Sequence, residues 1–481
     1  MSGKELSRRG FLASTLALPL LPSPLLPTRA EAIEMAASFP KDFLWGTSTS
    51  AAQIEGAAAE DGRGLSIWDE FARQPGKIVD GSTPAIACDH YHRWRQDLAL
   101  LAELGVNTYR FSIAWPRIQP EGTGAANAKG MEFYSRLTDA LLEAGIKPMP
   151  CLYHWDMPLA LAQRGGWMNR DVASWFTDYA LLMARHLGDR VTDWFMLNEP
   201  SVTAIFGHGK AAHAPGLGGG APATLAALHH QNLAQGTALH ALRAERASFR
   251  LGTVLSLQPV VPQSASEQDR AAAIRWDAVW NRVPLDGLMR GSIPDILAEP
   301  MSALVKPGDL ERIRFPVDML GLNYYSRMTM REAKGALFDA DFGQSPATSY
   351  TAMGWPIEPG GLFEILMELK ELYGNPAVIV TENGAAYDDH LDSLGPDSHG
   401  QVADPERIAF IRAHLLELAR AQKGGCNIKG YMVWSLLDNF EWAEGYTKRF
   451  GLVHVDYPTQ TRTPKSSFRW FREVAKTGRV Y

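Results

Sequence analysis

The chain has 481 residues, 46% hydrophobic and 21% charged, an ordinary globular composition with ample apolar material for a large core, so a disordered chain is excluded. A formal net charge of −6 leaves no basic footprint for nucleic acid, and a neutral or weakly charged substrate fits best. Three cysteines, Cys88, Cys151 and Cys426, show no metal-ligand spacing, and their odd number rules out a fully paired disulfide framework; buried free thiols are expected.

The first 32 residues are of a different kind. Ser7-Arg8-Arg9-Gly10-Phe11-Leu12-Ala13 precedes a Leu/Ala/Pro run that closes in Ala30-Glu31-Ala32, the pattern of an export signal of twin-arginine type. Pro19, Pro22, Pro24 and Pro27 break a run already too short for a bilayer, so no stable membrane span is expected after cleavage near Ala32. A periplasmic or extracellular destination follows. Residues 33–38 form a short leading segment. Residues 39–481 read as one domain, because no Pro/Ser-rich linker interrupts them.

From Phe39 onward, apolar strand-like runs alternate with segments of helical period. Strands are predicted at Phe43–Ser48, Asn107–Ile113, Lys147–Trp155, Val191–Glu199, Leu251–Gln258, Asp318–Tyr325, Ala377–Asn383 and Ile428–Leu437. Helices are predicted at Tyr91–Leu104, Gly130–Ala144, Val172–Leu187, Ala223–Ala247, Leu362–Tyr373 and Pro405–Lys423, each with apolar residues at i, i+3, i+4 spacing. Gly105, Gly145 and Gly188 follow helices where a left-handed cap is expected. Such alternation, with no internal repeat, predicts an α/β chain folded as a single (β/α)8 TIM barrel with elaborated βα loops. The Ser264–Arg314 region has no clear pattern.

In such barrels the active site lies at the C-terminal ends of the strands. The residues predicted there are polar and aromatic: Gln53 after the first strand, Arg110 on the second, Tyr153-His154-Trp155 at the end of the third. Asn198-Glu199 closes the fourth, Asn323-Tyr324-Tyr325 the sixth and Thr381-Glu382-Asn383-Gly384 the seventh. The eighth runs into Trp434-Ser435-Leu436-Leu437-Asp438-Asn439-Phe440-Glu441-Trp442. Two carboxylates, Glu199 and Glu382, thus stand at two strand ends facing one mouth and suggest a working pair. Gly216-Leu217-Gly218-Gly219-Gly220-Ala221 imitates a dinucleotide fingerprint but follows a polar loop, so it reads as a connection.

The segments Asn198-Glu199-Pro200, Val380-Thr381-Glu382-Asn383-Gly384, Tyr109-Arg110-Phe111-Ser112-Ile113-Ala114-Trp115-Pro116-Arg117, Phe43 to Gly56 and Trp434 to Trp442 together resemble glycoside hydrolase family 1, in the family's order. Met196 departs from it, since the family commonly has Thr two residues before the Asn. The resemblance implies a retaining mechanism, with Glu382 as nucleophile, Glu199 as acid/base and their carboxyls about 5–5.5 Å apart. It implies that Arg110 and Tyr325 favour the ionised form of Glu382, and that Asn198 holds the sugar 2-hydroxyl. It assigns Gln53, His154, Trp155, Trp434, Glu441 and Trp442 to the sugar clamp, Trp355 to a platform on the leaving-group side and Phe450 to the site wall. The phospho-sugar branch of the family has Ser at the Glu441 position and Tyr at the Phe450 position, so a non-phosphorylated β-glucoside or short β-linked oligosaccharide is the expected substrate, with charged Glu441 repelling a phosphate. No metal or organic cofactor is implied. A transglycosidase using the same intermediate, or a non-catalytic sugar binder on the same scaffold, are the alternative readings.

Overall fold

Eight short segments, buried on both faces, pair into the barrel. They are β1 (Leu44–Ser48), β2 (Thr108–Ser112), β3 (Lys147–Tyr153), β4 (Asp193–Asn198), β5 (Arg250–Ser256), β6 (Met319–Asn323), β7 (Val378–Asn383) and β8 (Ile428–Trp434). Continuous apolar runs such as Asp193–Asn198 suit a parallel sheet, whose two faces are both covered. In the computed structural model, which describes residues 37–389 and 402–481, the strands pair in the order β7-β8-β1-β2-β3-β4-β5-β6 and close on themselves, every pair parallel. The signal read at residues 1–32 lies outside the described residues. Among those described, no helix is long and apolar enough to cross a membrane.

Inside the barrel, Met149, Cys151, Phe195, Val254, Met319, Ile379 and Met432 pack with Leu44 into an apolar plug. The barrel is therefore a filled core with a polar mouth. Outside it lie α1 (His90–Leu104), α2 (Ala128–Glu143), α3 (Val172–Leu187), α4 (Gly220–Glu245), α5 (Val283–Arg290), α6 (Gly360–Leu372), α7 (Pro405–Lys423) and α8 (Ser466–Thr477). All three cysteines are buried free thiols, as expected.

Several boundaries differ from the sequence reading for visible reasons. Strand β3 stops at Tyr153 because Trp155 turns at φ 77°, and β4 stops at Asn198 because Glu199 turns at φ 51°. Strand β8 stops at Trp434, three residues before the predicted end. Gly105 and Gly145 take the left-handed conformation, but Gly188 does not, with φ −72°. Gly188 is needed for a close approach instead, since a Cβ there would sit 2.2 Å from the Ala184 carbonyl oxygen and 2.6 Å from the Phe249 ring. The illegible Ser264–Arg314 region holds helix Glu267–Asp277, a π-helical turn at Ala278–Arg282 and then α5, so its apolar period slips midway. The βα loops add a three-stranded sheet of Val260–Pro262, Met328–Glu332 and Ala340–Phe342 beside the mouth.

Candidate active site

Simple strand alternation would not bring Glu199 and Glu382 into one cavity. The pairing of β4 slips between Phe195 and Asn198, and that of β7 slips after Val380, so each strand is irregular just before its carboxylate. Such bulges re-aim side chains at barrel rims. Glu199 then takes a left-handed backbone, as do Trp155 and Trp442 in the same cavity wall. Non-glycine residues rarely adopt that conformation, and their concentration at one site is a local strain held by the surrounding packing. Gly384 completes the local geometry: any Cβ there would lie 2.0 Å from the Trp434 carbonyl oxygen, so only glycine lets β7 and β8 leave the barrel side by side.

The two carboxylates have unequal surroundings. One oxygen of Glu382 accepts from Arg110 Nη1 at 2.6 Å and the other from the Tyr325 hydroxyl at 2.7 Å. Glu199 Oε1 accepts from the neutral Asn323 amide at 3.0 Å. Arg110 Nη2 also donates to Asn198 Oδ1 at 2.6 Å, and that oxygen receives Asn323 Nδ2 at 3.1 Å. With its oxygen so engaged, Asn198 must present its amide hydrogens to His154 Nε2, 3.0 Å away, which places the imidazole proton on Nδ1.

Charge follows from this arrangement. Burial, and then the facing Glu382, push the Glu199 carboxyl up to about 8. Burial also raises Glu382, against the opposing pull of Arg110 and the Tyr325 hydroxyl. A directly bonded guanidinium and a phenol stabilise the carboxylate of Glu382, where Glu199 has the neutral Asn323 amide and Ser256 hydroxyl and a more distant Arg110, so Glu382 is the member of the pair that ionises first. His154 is held neutral by burial and by Arg110. Burial first, and then Glu382, Glu199 and Glu444, push the Glu441 carboxyl up to about 8. Lys448 Nζ donates to the Ala352 carbonyl at 2.9 Å.

The cavity measures about 390 Å³. Of the residues expected from the sequence, His154, Trp155, Glu199, Tyr325, Trp355, Glu382, Trp434, Glu441, Trp442 and Phe450 line it. His154 stacks near Trp434 at 5.8 Å, Trp155 packs on Trp442 at 4.5 Å, and Tyr325, Trp355 and Phe450 form a second aromatic group within 6.2 Å of one another. Gln53, Arg110 and Asn198 stand just behind the wall. Gln53 Nε2 reaches Asn439 Oδ1 at 3.0 Å, the Phe440 carbonyl at 2.9 Å and Glu441 Oε2 at 3.3 Å, bracing the loop that carries Glu441. Met196 is fully buried in the core. Asn323, which the sequence placed at the mouth without assigning it a role, has one here. It bridges Asn198 and Glu199 and is itself oriented by the Thr381 hydroxyl, which donates to Asn323 Oδ1 at 2.7 Å. Its position at the end of β6, level with the other strand ends, was the available signal.

Comparison with known proteins agrees with this geometry. Residues 35–480 match the description "Glycosyl hydrolase family 1". The chain is 43% identical over 443 residues to a protein of Thermotoga maritima named β-glucosidase A, covering 91% of this chain and 98% of that one. It is 45% identical over 460 residues to a bifunctional β-D-glucosidase/β-D-fucosidase of Bifidobacterium breve, with the same coverage. Among solved structures, the family 1 β-glucosidase of Thermotoga maritima superposes with a TM-score of 0.88 at 42% identity, covering 93% of this chain and 99% of the other. The same enzyme bound to glucoimidazole gives a TM-score of 0.86 at 42% identity, covering 92% of this chain and 99% of that one. The barrel, its carboxylate pair and this similarity along nearly the whole chain lead to one conclusion: the chain belongs to glycosyl hydrolase family 1.

Proposed function

We propose that the protein is a retaining β-glucosidase that releases β-D-glucose from the non-reducing end of β-glucosides. The observation that carries the assignment of roles is the asymmetry of the pair, with Glu382 held by Arg110 and Tyr325 while Glu199 is buried beside an amide. In this reading Glu382 attacks the anomeric carbon as Glu199 gives its proton to the departing oxygen, forming a glycosyl ester and a free alcohol. Esterification removes the charge of Glu382. Glu199 then becomes more acidic, takes a proton from the incoming water, and the ester is displaced to give glucose with retained configuration. Glu441, braced by Gln53, would accept from sugar hydroxyls, and the Trp434 and Trp442 rings would pack on the sugar.

The test is mass spectrometry of the protein after exposure to an activated 2-deoxy-2-fluoro-β-glucoside, whose fluorine slows loss of the adduct more than its formation. A single sugar on Glu382 is expected. An adduct elsewhere would overturn the nucleophile assignment, and an adduct from the galactoside alone would keep the mechanism and replace the sugar. The fluoro-fucoside examines the second activity for which the Bifidobacterium relative is named.

Export is proposed on the leader sequence, Ser7-Arg8-Arg9-Gly10-Phe11-Leu12. Cell fractionation of Arg8→Lys/Arg9→Lys should retain activity inside the cell; unchanged export would remove the twin-arginine reading.

A further inference from the structure

The loop that carries Glu441 and Trp442 is locally strained. Trp442 turns at φ 52° and Gly445 at φ 62°, around a short 3₁₀ turn at Trp442–Glu444. The turn closes on itself, with the Glu444 N–H on the Glu441 carbonyl at 2.9 Å and the Glu441 N–H on the Gly445 carbonyl at 2.7 Å. A tryptophan in the left-handed region persists only where its neighbours over-determine it. On the cavity side those neighbours are Gln53, which donates to Glu441 at 3.3 Å, and the rings of Trp155 and Trp68, which pack on Trp442 at 4.5 and 4.7 Å.

The far side of the turn is held by a different loop, residues 73–87. Asp80 Oδ2 accepts from the Tyr446 N–H at 2.8 Å, across 366 positions of sequence. The Val79 N–H donates to the Ala443 carbonyl at 2.8 Å, and the Tyr446 hydroxyl donates to the Thr83 carbonyl at 2.9 Å. Asp80 is itself fixed, since its Oδ1 accepts from the Ser82 N–H at 2.9 Å and from the Ser82 hydroxyl at 2.5 Å. Burial acts to raise the Asp80 carboxyl, but its bonds to Ser82 and Tyr446 outweigh that and hold it below its usual range, so the acceptor is a carboxylate at neutral pH. Gly445 is shaped to this partner: a Cβ there would lie 2.0 Å from Asp80 Oδ1. Apolar burial does not account for the contact, because Asp80 is exposed and Val79 is 69% exposed. Directed hydrogen bonds do.

We propose that Asp80 is a positioning residue for the sugar clamp: from outside the cavity it fixes the turn Glu441–Gly445, and through it the place of the Glu441 carboxyl and the Trp442 ring against the bound sugar. The inference rests on the β-glucosidase reading and adds to it a determinant of glucose affinity that does not touch the glucose. Glu441 and Trp442 line the cavity, and Asp80 stands behind them.

The test compares the wild type with Asp80→Ala and Asp80→Asn, by the Ki of deoxynojirimycin and by steady-state kinetics on phenyl β-glucoside. Glu441 and Trp442 hold the sugar and not the bond that breaks, so Asp80→Ala should raise Ki and KM together about three- to tenfold and leave kcat within about twofold. Asp80→Asn keeps an oxygen for the Tyr446 N–H, and the Ser82 hydroxyl can turn to accept from the new amide, so its Ki should stay within about twofold of the wild type. In Glu441→Gln, whose clamp is already weakened, Asp80→Ala should lose most of its effect on Ki, whereas a purely structural role would leave that effect intact. Asp80 lies on an exposed loop, so its variants report on the contact and not on the fold. The inference is overturned if Asp80→Ala moves neither Ki nor KM, if it lowers kcat with KM unchanged, if Asp80→Asn is as weak as Asp80→Ala, or if the effects of Asp80→Ala and Glu441→Gln on Ki simply multiply. If the wild type neither binds deoxynojirimycin nor hydrolyses phenyl β-glucoside, the β-glucosidase reading falls and this inference with it; if it does both and Asp80→Ala is silent, only the role of Asp80 falls.

Discussion

Two clusters of buried carboxylates, drawn in part from the same short segments at Glu382–Asp389 and Asp438–Glu441, behave in opposite ways. In the cavity, of Glu199, Glu382 and Glu441 only Glu382 has an ion-pair partner among the described residues, Arg110, and burial drives all three carboxyls upward. Behind the Glu441 loop, Asp389, Asp404 and Asp438 are matched by Arg407, Lys465 and Arg449. Lys465 Nζ bridges Asp389 at 2.6 Å and Asp438 at 2.7 Å, Arg407 bridges Asp389 and Asp404 at 2.5 Å each, and Arg449 holds Asp438 at 2.7 Å. There burial also acts to raise Asp438, but Lys465, Arg449 and Arg407 outweigh it and hold the carboxyl below its usual range. The lesson is that burial alone does not make a carboxylate reactive. Charge left unmatched does, and the matched cluster keeps the unmatched one in place.

The largest effect should come from the unmatched side. Glu382→Gln is expected to lower kcat on phenyl β-glucoside by at least about 10⁴-fold, the order seen when a nucleophile acting in concert with its partner is removed. Its thermal stability should fall, because buried Arg110 loses its charged partner. Steady-state rates and a thermal melt on the same preparation check both halves, and a loss of activity under about 100-fold would place the nucleophile elsewhere.

The matched side should show the reverse pairing of effects. Lys465→Met leaves Asp389 and Asp438 buried without their shared cation, and should cost about 3–5 kcal/mol of stability. Adding Asp389→Asn should recover part of that loss, because an amide needs no counter-charge. Denaturant unfolding of the two variants and of Asp389→Asn alone gives the coupling; simple additivity would mean that Lys465 and Asp389 do not act as a pair.

A smaller effect separates the clusters by pH. Glu199 and Glu441 have native pKa values of about 8 against ordinary values of 4.5, so the native state holds their protons more tightly than the unfolded chain. Their contribution is full below pH 4.5 and is lost as pH rises towards 8. Asp438, lowered from 3.8, gives the opposite sign: its contribution is present above that value and is lost as pH falls through its native pKa. Glu441→Gln should therefore flatten the alkaline fall in melting temperature and add on the order of 1–3 kcal/mol at pH 8, while raising KM through loss of a hydroxyl acceptor. An unchanged slope would show that Glu441 titrates near its ordinary value.

Much of this was legible in the sequence, and the gaps have physical causes. Eight buried parallel strands announce themselves as continuous apolar runs, and polar residues at their ends mark the mouth. The two bulges before Glu199 and Glu382 were not legible, because a slipped register leaves composition and period almost unchanged. Asn323 could be placed at the mouth but not given a role, because its partners Asn198 and Glu199 lie 125 and 124 positions away in sequence. The raised pKa of Glu441 was invisible for a different reason: it depends on Glu199 and Glu382, distant in sequence, and on the absence of a second cation. Lys465 and Asp389, 76 positions apart, carried no local sign of pairing.

The smallest predicted effect bears most directly on how an unmatched cluster works. Glu199 is raised by burial first and by Glu382 second. Removing the charge of Glu382 should thus lower the Glu199 pKa by about one unit, the order expected for one neighbouring carboxylate, while burial keeps it above 4.5. The 2-fluoroglucosyl adduct and Glu382→Gln both remove that charge by different chemistry, and carboxyl ¹³C shifts of labelled glutamate across pH should move alike in the two. Lys465→Met, on the matched side, should leave the Glu199 titration where it is. If the adduct does not shift Glu199, burial alone sets its pKa. The change from acid to base would then have to come from the incoming water and not from the lost charge of its partner.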